Sequence, residues 1–386
     1  MTDTGPGDEV TVLLTGAGAP GCAGILRGLR ANDERPVNVV GVDMNPDAYG
    51  FALVDESAVV PAGTDDDYIS RMTTIAAREA VDVVLPLTTA ELGPLSRNRD
   101  AFDATVMVSD PGPLGVANDK GQLYDFLDRA GLDCAPTFRR VETLDGFLDA
   151  CAELGYPEQP VCFKRPVASG MRGFRVLDES EDRLSRLLSQ KPDSAVTTLD
   201  SVQPVLDSAE TFPELVVMEY LPGEEYSVDV LAQGDTVGPV IPRSRTRTRA
   251  GISFEGTVER DEQLIEAAAE ICRELGVEYN INVQFKYDRN GVPKVLEINP
   301  RVSGTIVMCI GAGANMPYLG VKQALGEPLP PVDVEWGTHM VRYWQEVFRS
   351  PDGNRFHVEA SDDRVGVESA DDRVGVKSPG DGGGAD

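Results

Sequence analysis

Apolar and polar positions change period several times along the chain, and each change marks an element. Val10 to Leu14 is a continuous, largely β-branched apolar run, so it reads as a buried strand. A glycine-rich turn follows, and Ala23 to Leu29 then repeats with helical spacing. Val37 to Val42 is a second run, ending in Asp43. Val59–Pro61, Val81–Leu85 and Val106–Val108 read as further strands, with a helix over Met72–Ala80. Strands alternating with helices predict a doubly wound, Rossmann-like parallel sheet, α/β in class, closing near residue 115.

The pattern changes after Ala117. Gly121–Ala130 and Leu144–Leu154 read as helices, and Val161-Cys162-Phe163 as a strand running into a Gly/Ser loop. Leu215–Met218, Tyr226–Leu231 and Asn282–Lys286 read as strands, and Asp261–Leu275 as an amphipathic helix. This is an α+β organisation, expected over 116–350 in two lobes, 116–215 and 216–350. Residues 189–210 are polar and predict loops with one short helix. From about Pro351 the chain nearly repeats itself: Ser361–Glu368 and Ala370–Lys377 differ at their ends only, and Gly and Asp finish the sequence. Such a segment buries no core, so 351–386 is expected to be a disordered acidic tail.

Charge narrows the function. The 386 residues carry a formal net charge of −29, and Arg outnumbers Lys 28 to 7. At about 0.15 M salt the Debye length is near 8 Å, so this surface repels itself; at molar salt the length falls to about 3 Å. A surface adapted to a high-salt cytosol is expected, and nucleic acid is excluded as a partner because its recognition needs a basic field. No apolar run reaches the 18 or so residues of a membrane span, and Met1–Pro6 lacks the pattern of a secretory signal. The expectation is a cytoplasmic protein that needs no membrane, with self-association to a homo-oligomer left open. Six cysteines without a C-x-x-C pair and only two histidines, His339 and His357, argue against a zinc site.

Four segments could carry chemistry. Gly16-Ala17-Gly18-Ala19-Pro20-Gly21 lies between a strand and a helix, with Asp43 ending the next strand, which is the context of a dinucleotide fingerprint. The plain alternative is a tight turn of any doubly wound domain. Lys164 ends a strand ahead of Ser169-Gly170-Met171-Arg172-Gly173, so a fixed lysine and a glycine loop could hold a phosphate; a hairpin with a solvated lysine is the alternative. Glu219-Tyr220-Leu221-Pro222-Gly223-Glu224-Glu225 joins two strands, and its backbone could pair with an adenine edge while a carboxylate holds ribose hydroxyls. It could equally be a β-connection with exposed glutamates. The fourth segment, Asn282 to Arg301, is the most specific. A two-residue Asn290-Gly291 loop would set Gln284 opposite Glu297, with Asn299 on the same face. Three oxygen donors there suit a hard cation such as Mg²⁺, and Arg301 could neutralise a transferring phosphoryl group.

These motifs, in this order, resemble the ATP-grasp superfamily, and most of all its carbamoyl-phosphate-synthase type, in Asn282-Val283-Gln284-Phe285 and Glu297-Ile298-Asn299-Pro300-Arg301-Val302-Ser303. The resemblance spans about residues 10–345, and it implies a Rossmann-like first domain that does not bind NAD. It implies ATP with Mg²⁺ (or Mn²⁺) as cofactors. Lys120 and Lys164 would contact phosphates, beside Ser169, Gly170 and Gly173. Glu219, Tyr220 and Leu221 would meet adenine and Glu225 the ribose. Gln284, Glu297 and Asn299 would hold the metal, and Arg301, with Lys164, would act on the transferred phosphoryl group.

For the second substrate, Arg243, Arg245, Arg247 and Arg249 recur at every second residue; on one extended strand they would share a face and bind an anion, Arg245 and Arg247 best. Thr89 and Glu91, after the Val81–Leu85 strand, are further candidates, because strand ends face the site in open α/β sheets. The expected activity is ATP-dependent ligation of small-molecule carboxylate and amine (or ammonia) substrates through an acyl phosphate. Phosphoryl transfer of a kinase-like, carboxyphosphate or carbamoyl-phosphate type is the nearest alternative. An NAD-dependent oxidoreductase using Gly16, Gly18 and Gly21 is the alternative from another class, and a non-catalytic nucleotide-binding module a further one.

Overall fold

Val10, Val12 and Leu14 point to one side of the first strand and Leu13 to the other, and each set is fully buried in a different core. This alternation fixes the first layer. β1 (Val10–Thr15), β2 (Val37–Asp43), β3 (Glu56–Val59), β4 (Val83–Leu85) and β5 (Thr105–Val106) form a parallel sheet of order β3-β2-β1-β4-β5. Strand order reverses between β1 and β4, the switch point of a doubly wound sheet. Helices Cys22–Arg30, Tyr68–Arg78 and Thr89–Arg97 supply the crossovers. The structure is a computed structural model, and it describes residues 7–167, 172–180, 184, 188, 194–249 and 251–357.

Position 115/116 falls inside the helix Pro111–Asn118, which leads through Asp119 into the helix Lys120–Ala130. Asp119 caps that helix by accepting from Gln122 N at 3.0 Å. A second sheet follows, with β6 (Phe138–Val141), β7 (Val161–Lys164), β8 (Arg175–Leu177), β9 (Val196–Thr197) and β10 (Leu215–Glu219) in the order β6-β10-β7-β8-β9. The short helix expected within 189–210 is Leu199–Leu206.

The third sheet is antiparallel. β11 (Glu225–Gln233), β12 (Thr236–Ser244), β15 (Glu278–Tyr287) and β16 (Pro293–Asn299) have the order β12-β11-β15-β16. Between β12 and β15 lie β13 (Arg247–Arg249) and β14 (Ile252–Thr257), which join β17 (His339–Val341) in a three-stranded sheet. The helix Glu262–Leu275 starts at Asp261, whose carboxylate accepts from Leu264 N at 3.2 Å, and stops at Gly276 with φ +68°. One core joins this helix and the third sheet to Leu123, Tyr124 and Leu127 of the Lys120–Ala130 helix and to Cys162 and Met218 of the second sheet.

Residues 1–344 form one compact unit and 345–386 another. In the second unit β18 (Val347–Arg349) pairs with β19 (Arg355–His357); most of the expected tail, 358–386, lies outside the described residues. Among the described residues no helix is long and apolar enough to cross a membrane.

Candidate functional site

The β15–β16 hairpin brings the three oxygen donors together, by a route the sequence did not suggest. Tyr287 pairs with Pro293 and Phe285 with Val295, so the loop is one residue longer than an Asn-Gly turn. Gly291 takes φ +75°, and Asp288 Oδ1 accepts from the N–H groups of Asn290 and Val292. A bulge at Leu296 then restores the expected facing pair, Gln284 with Glu297. The bulge also re-aims the Leu296 carbonyl, which accepts from Tyr124 Oη at 2.8 Å and from Lys164 Nζ at 3.0 Å.

Lys164 is buried at the end of β7, and its ammonium also donates to Tyr124 Oη at 2.9 Å. Burial, and then the neighbouring Lys120, push its pKa down to about 7. Lys120 opens its helix with its backbone N–H donated to Pro166 O at 3.1 Å, and its Nζ lies 3.0 Å from Glu297 Oε2. Burial would raise the Glu297 carboxyl, but Lys120 and Lys164 outweigh it and hold it below the ordinary carboxylate range. Asn299 Nδ2 donates to Glu297 Oε1 at 3.2 Å. Arg301 donates to Val302 O at 2.9 Å and to Asn299 Oδ1 at 3.4 Å, while its buried Nε has no protein partner.

All of these side chains except Tyr124 line one cleft of ≈ 390 Å³. The same lining includes the apolar side chains of Cys162, Phe174, Met218, Leu221 and Ile252. Glu219, the last residue of β10, and Tyr220 and Leu221 after it also line the cleft. Glu219 is bonded to the strand edge beside it: its N–H donates to Thr137 O and its carboxylate accepts from Thr137 N at 2.8 Å. Glu225 also lines the cleft, and Arg245 Nε sits 2.6 Å from its Oε1. Gly173 is described, at φ +75°, whereas Ser169 and Gly170 lie outside the described residues.

The four arginines do not share a face. β12 ends at Ser244 and the chain turns at Arg245-Thr246 before β13, so alternation is lost between the second and third arginine. Arg243 is fully buried; its Nε lies 2.5 Å from Asp229 Oδ2, and it donates to Ser303 Oγ at 2.8 Å and to Thr305 Oγ1. Arg245 faces the cleft and donates to Ser227 Oγ at 3.2 Å and Gly251 O at 2.9 Å. Arg247 is exposed and lies 3.5 Å from Glu255, away from the cleft lining, and Arg249 stacks over Trp344. Thr89 and Glu91 lie outside the cleft as well. Thr89 opens the helix Thr89–Arg97, and Glu91 turns inward to accept from Thr15 Oγ1, where burial raises its pKa.

The glycine fingerprint is spent on packing. Gly18 N donates to Asp43 Oδ2 at 2.7 Å and Asn45 N to Asp43 Oδ1 at 2.8 Å, so the acid that would hold a ribose is occupied. A Cβ on Gly21 would lie 2.6 Å from Gly304 Cα, so the helix N-terminus that would face a pyrophosphate is covered by the 303–305 loop. This geometry leaves the oxidoreductase reading without a cofactor site at Gly16–Gly21.

Several residues in or behind the cleft went unnoticed in the sequence, Tyr124 behind it and the others in its lining. Tyr124 is four residues beyond Lys120 on one helix, and Lys286 two beyond Gln284 on one strand; both spacings put the pair on a shared face. Lys286 Nζ lies 5.4 Å from the Tyr220 ring centre. Arg172 belongs to the glycine loop already singled out, whereas Arg165 and Phe174, which reach the cleft from the segment between β7 and β8, carried no such signal. Among the described residues no group of three or more His, Cys, Asp or Glu side chains could hold a metal. The donors at hand are one carboxylate and two amide side chains, which fits a hard cation completing its shell with phosphate oxygens and water.

Comparison with known proteins agrees with this geometry. Residues 211–346 match the family described as ATP-grasp in the biosynthetic pathway with Ter operon, and residues 12–108 match the PylC-like N-terminal domain. The arginine-specific large chain of carbamoyl phosphate synthase from Bacillus subtilis (strain 168) is 27% identical over 230 residues, 57% of this chain and 19% of the relative. Carnosine synthase 1 of Gallus gallus is 35% identical over 130 residues, 31% of this chain and 14% of the relative. The matched segments thus span under a fifth of these relatives' length. The crystal structure of the ADP complex of N5-carboxyaminoimidazole ribonucleotide synthetase superposes with TM-score 0.64 at 18% identity, covering 88% of this chain and 82% of that one. An L-amino acid ligase from Bacillus licheniformis superposes with TM-score 0.56 at 14% identity, covering 83% and 75%. The chain carries an ATP-grasp domain behind a PylC-like N-terminal domain, and it is homologous to the large chain of carbamoyl phosphate synthase.

Proposed function

We propose that this protein is an ATP- and Mg²⁺-dependent ligase that joins a small carboxylate to an amine or ammonia through an acyl phosphate. One observation carries the reading: a single cleft gathers Lys120, Lys164, Gln284, Glu297 and Arg301 from separate elements, and its lining also includes the apolar side chains of Cys162, Met218 and Leu221. Adenine packs against Met218 and Leu221, and the backbone of the Glu219–Leu221 segment meets its edge. Lys120 and Lys164 hold the phosphates. Gln284, Glu297 and Asn299 would hold Mg²⁺ (Mn²⁺ in substitution), which supplies charge neutralisation between phosphate groups.

The chemistry asked of the chain is positioning and charge neutralisation rather than covalent catalysis. A carboxylate oxygen attacks the γ-phosphorus, the bond to the β-phosphate oxygen breaks, and ADP leaves. Arg301, with an unpartnered buried Nε, faces the charge that spreads over the transferred group. Arg245, on the cleft wall, takes the acid's second oxygen. The amine nitrogen then attacks the acyl carbon, inorganic phosphate departs, and the nitrogen gives up its proton. The substrates are small molecules, and the setting is the cytoplasm.

A second reading makes bicarbonate the carboxylate, which the homology to a carbamoyl phosphate synthase chain favours. The test is ADP and phosphate release from ATP across a panel of acids, each with and without amines, bicarbonate included. Release that needs both an acid and an amine supports ligation. Release with bicarbonate alone moves the assignment to the second reading. No release with any pair, despite bound nucleotide, overturns both.

A further inference from the structure

We propose that Lys120 holds divalent metal off Glu297 until a nucleotide anion enters the cleft, so that metal and nucleotide bind as a coupled pair. The inference rests on the proposed function for the identity of the nucleotide, but the contact that carries it stands alone. Of the three oxygen donors, Glu297 is the only anion, and its Oε2 lies 3.0 Å from Lys120 Nζ. The lysine is fixed there. Its backbone N–H is bonded to Pro166 O, Asp119 caps its helix, and its side chain is almost wholly buried. Lys164 lies near the same carboxylate as well.

A dication approaching Glu297 must displace the Lys120 ammonium. The two amide oxygens offer little in return, because Mg²⁺ sheds water reluctantly and is normally held by carboxylates together with substrate phosphates. A polyphosphate reverses the balance. Seven basic side chains line the cleft against three acidic ones among the described residues, in a chain whose net charge is −29. Phosphate oxygens give Lys120 a new partner and release Glu297 for the metal. By linkage, the factor by which nucleotide tightens metal equals the factor by which metal tightens nucleotide.

The experiment measures Mn²⁺ binding to the full chain by electron paramagnetic resonance in high KCl, in wild type, Lys120→Met, Glu297→Gln and the double variant. The Glu297→Gln chain subtracts cations held by the acidic surface. Without nucleotide, wild type and Glu297→Gln should bind Mn²⁺ alike, whereas Lys120→Met should gain a site roughly tenfold tighter or more, lost in the double variant. With ADP, wild type should gain a Glu297-dependent site, and Mn²⁺ should tighten ADP by the matching factor. A Glu297-dependent Mn²⁺ site in wild type without nucleotide, as tight as with ADP, overturns the proposal, as does a folded Lys120→Met chain without the new site. If Lys120→Met does not fold, the wild-type pair with and without ADP decides. Failure to bind ADP at all refutes the proposed function, while the nucleotide-free comparison still judges Lys120.

Discussion

Lys164 shows how one buried side chain links stability to binding. Its folded pKa is pushed down to about 7 from an ordinary value of 10.5. Between these two values the unfolded chain binds the proton and the folded chain does not. Stability contributed by this group therefore rises with pH from about 7 to 10.5, and below 7 the folded state bears the full cost of the buried charge. Nucleotide binding runs the opposite way, because a neutral amine holds phosphate weakly. ADP affinity should fall as pH rises from about 6.5 to 8.5, and Lys164→Met should remove that slope while weakening ADP roughly 10- to 150-fold, the range for a charge-assisted hydrogen bond. Titration calorimetry across the pH series checks both; a slope that survives in Lys164→Met would assign it elsewhere. At this scale the sequence made the facing of Gln284 and Glu297 legible, although the pair is reached through a longer loop offset by the bulge at Leu296 rather than through alternation from a two-residue turn. It was silent about Tyr124 and the Leu296 carbonyl, because the bulge that aims the carbonyl depends on packing between two elements.

Elements were legible wherever hydrophobic period and caps agree, as in Val10–Thr15 or in Glu262–Leu275 between Asp261 and Gly276. The arginine row failed because alternation presumes an unbroken strand, and this one turns at Arg245 to change sheets. Its first member becomes an anchor. Arg243, Asp229 and Asn282 form a buried polar cluster, with Asn282 Nδ2 3.0 Å from Asp229 Oδ1, and Arg243 reaches Ser303 and Thr305 in the loop after Arg301. Arg243→Met leaves Asp229 buried without its cation and should cost about 3–5 kcal/mol. Asp229→Asn together with Arg243→Met should cost less than the sum of the two single changes, because neither charge is then stranded. Arg247→Ala, which removes an exposed pair with Glu255, should change stability by no more than about 1 kcal/mol. Urea unfolding of the four variants measures these values. An Arg243→Met chain as stable as Arg247→Ala would refute the anchoring role.

Across the whole molecule, the glycine turn and the net charge are the two features the sequence left most open. The turn had the spacing of a dinucleotide site, and only the approach of Gly304 to Gly21 reveals it as packing between distant parts of the chain. Gly21→Ala would force backbone apart there and should cost about 1–3 kcal/mol, and NADH should show no energy transfer from the protein's tryptophans. The charge leads to a salt prediction with a definite sign. At −29 the folded chain repels itself over distances beyond the 8 Å or so that physiological salt screens, and unfolding relieves the repulsion. The close ion pairs Arg35–Glu327 and Lys120–Glu297 have mostly buried side chains and are screened far less. Added salt therefore removes repulsion faster than attraction, and Tm should rise steadily from 0.1 to 2 M KCl. Nucleotide affinity should fall over the same range, because the basic cleft and the polyphosphate attract each other. Salt should thus move stability and ADP affinity in opposite directions. Thermal melts and ADP titrations in the same KCl series measure both; a Tm that is flat or falls with KCl would refute adaptation of the surface to high salt, whatever the cleft binds.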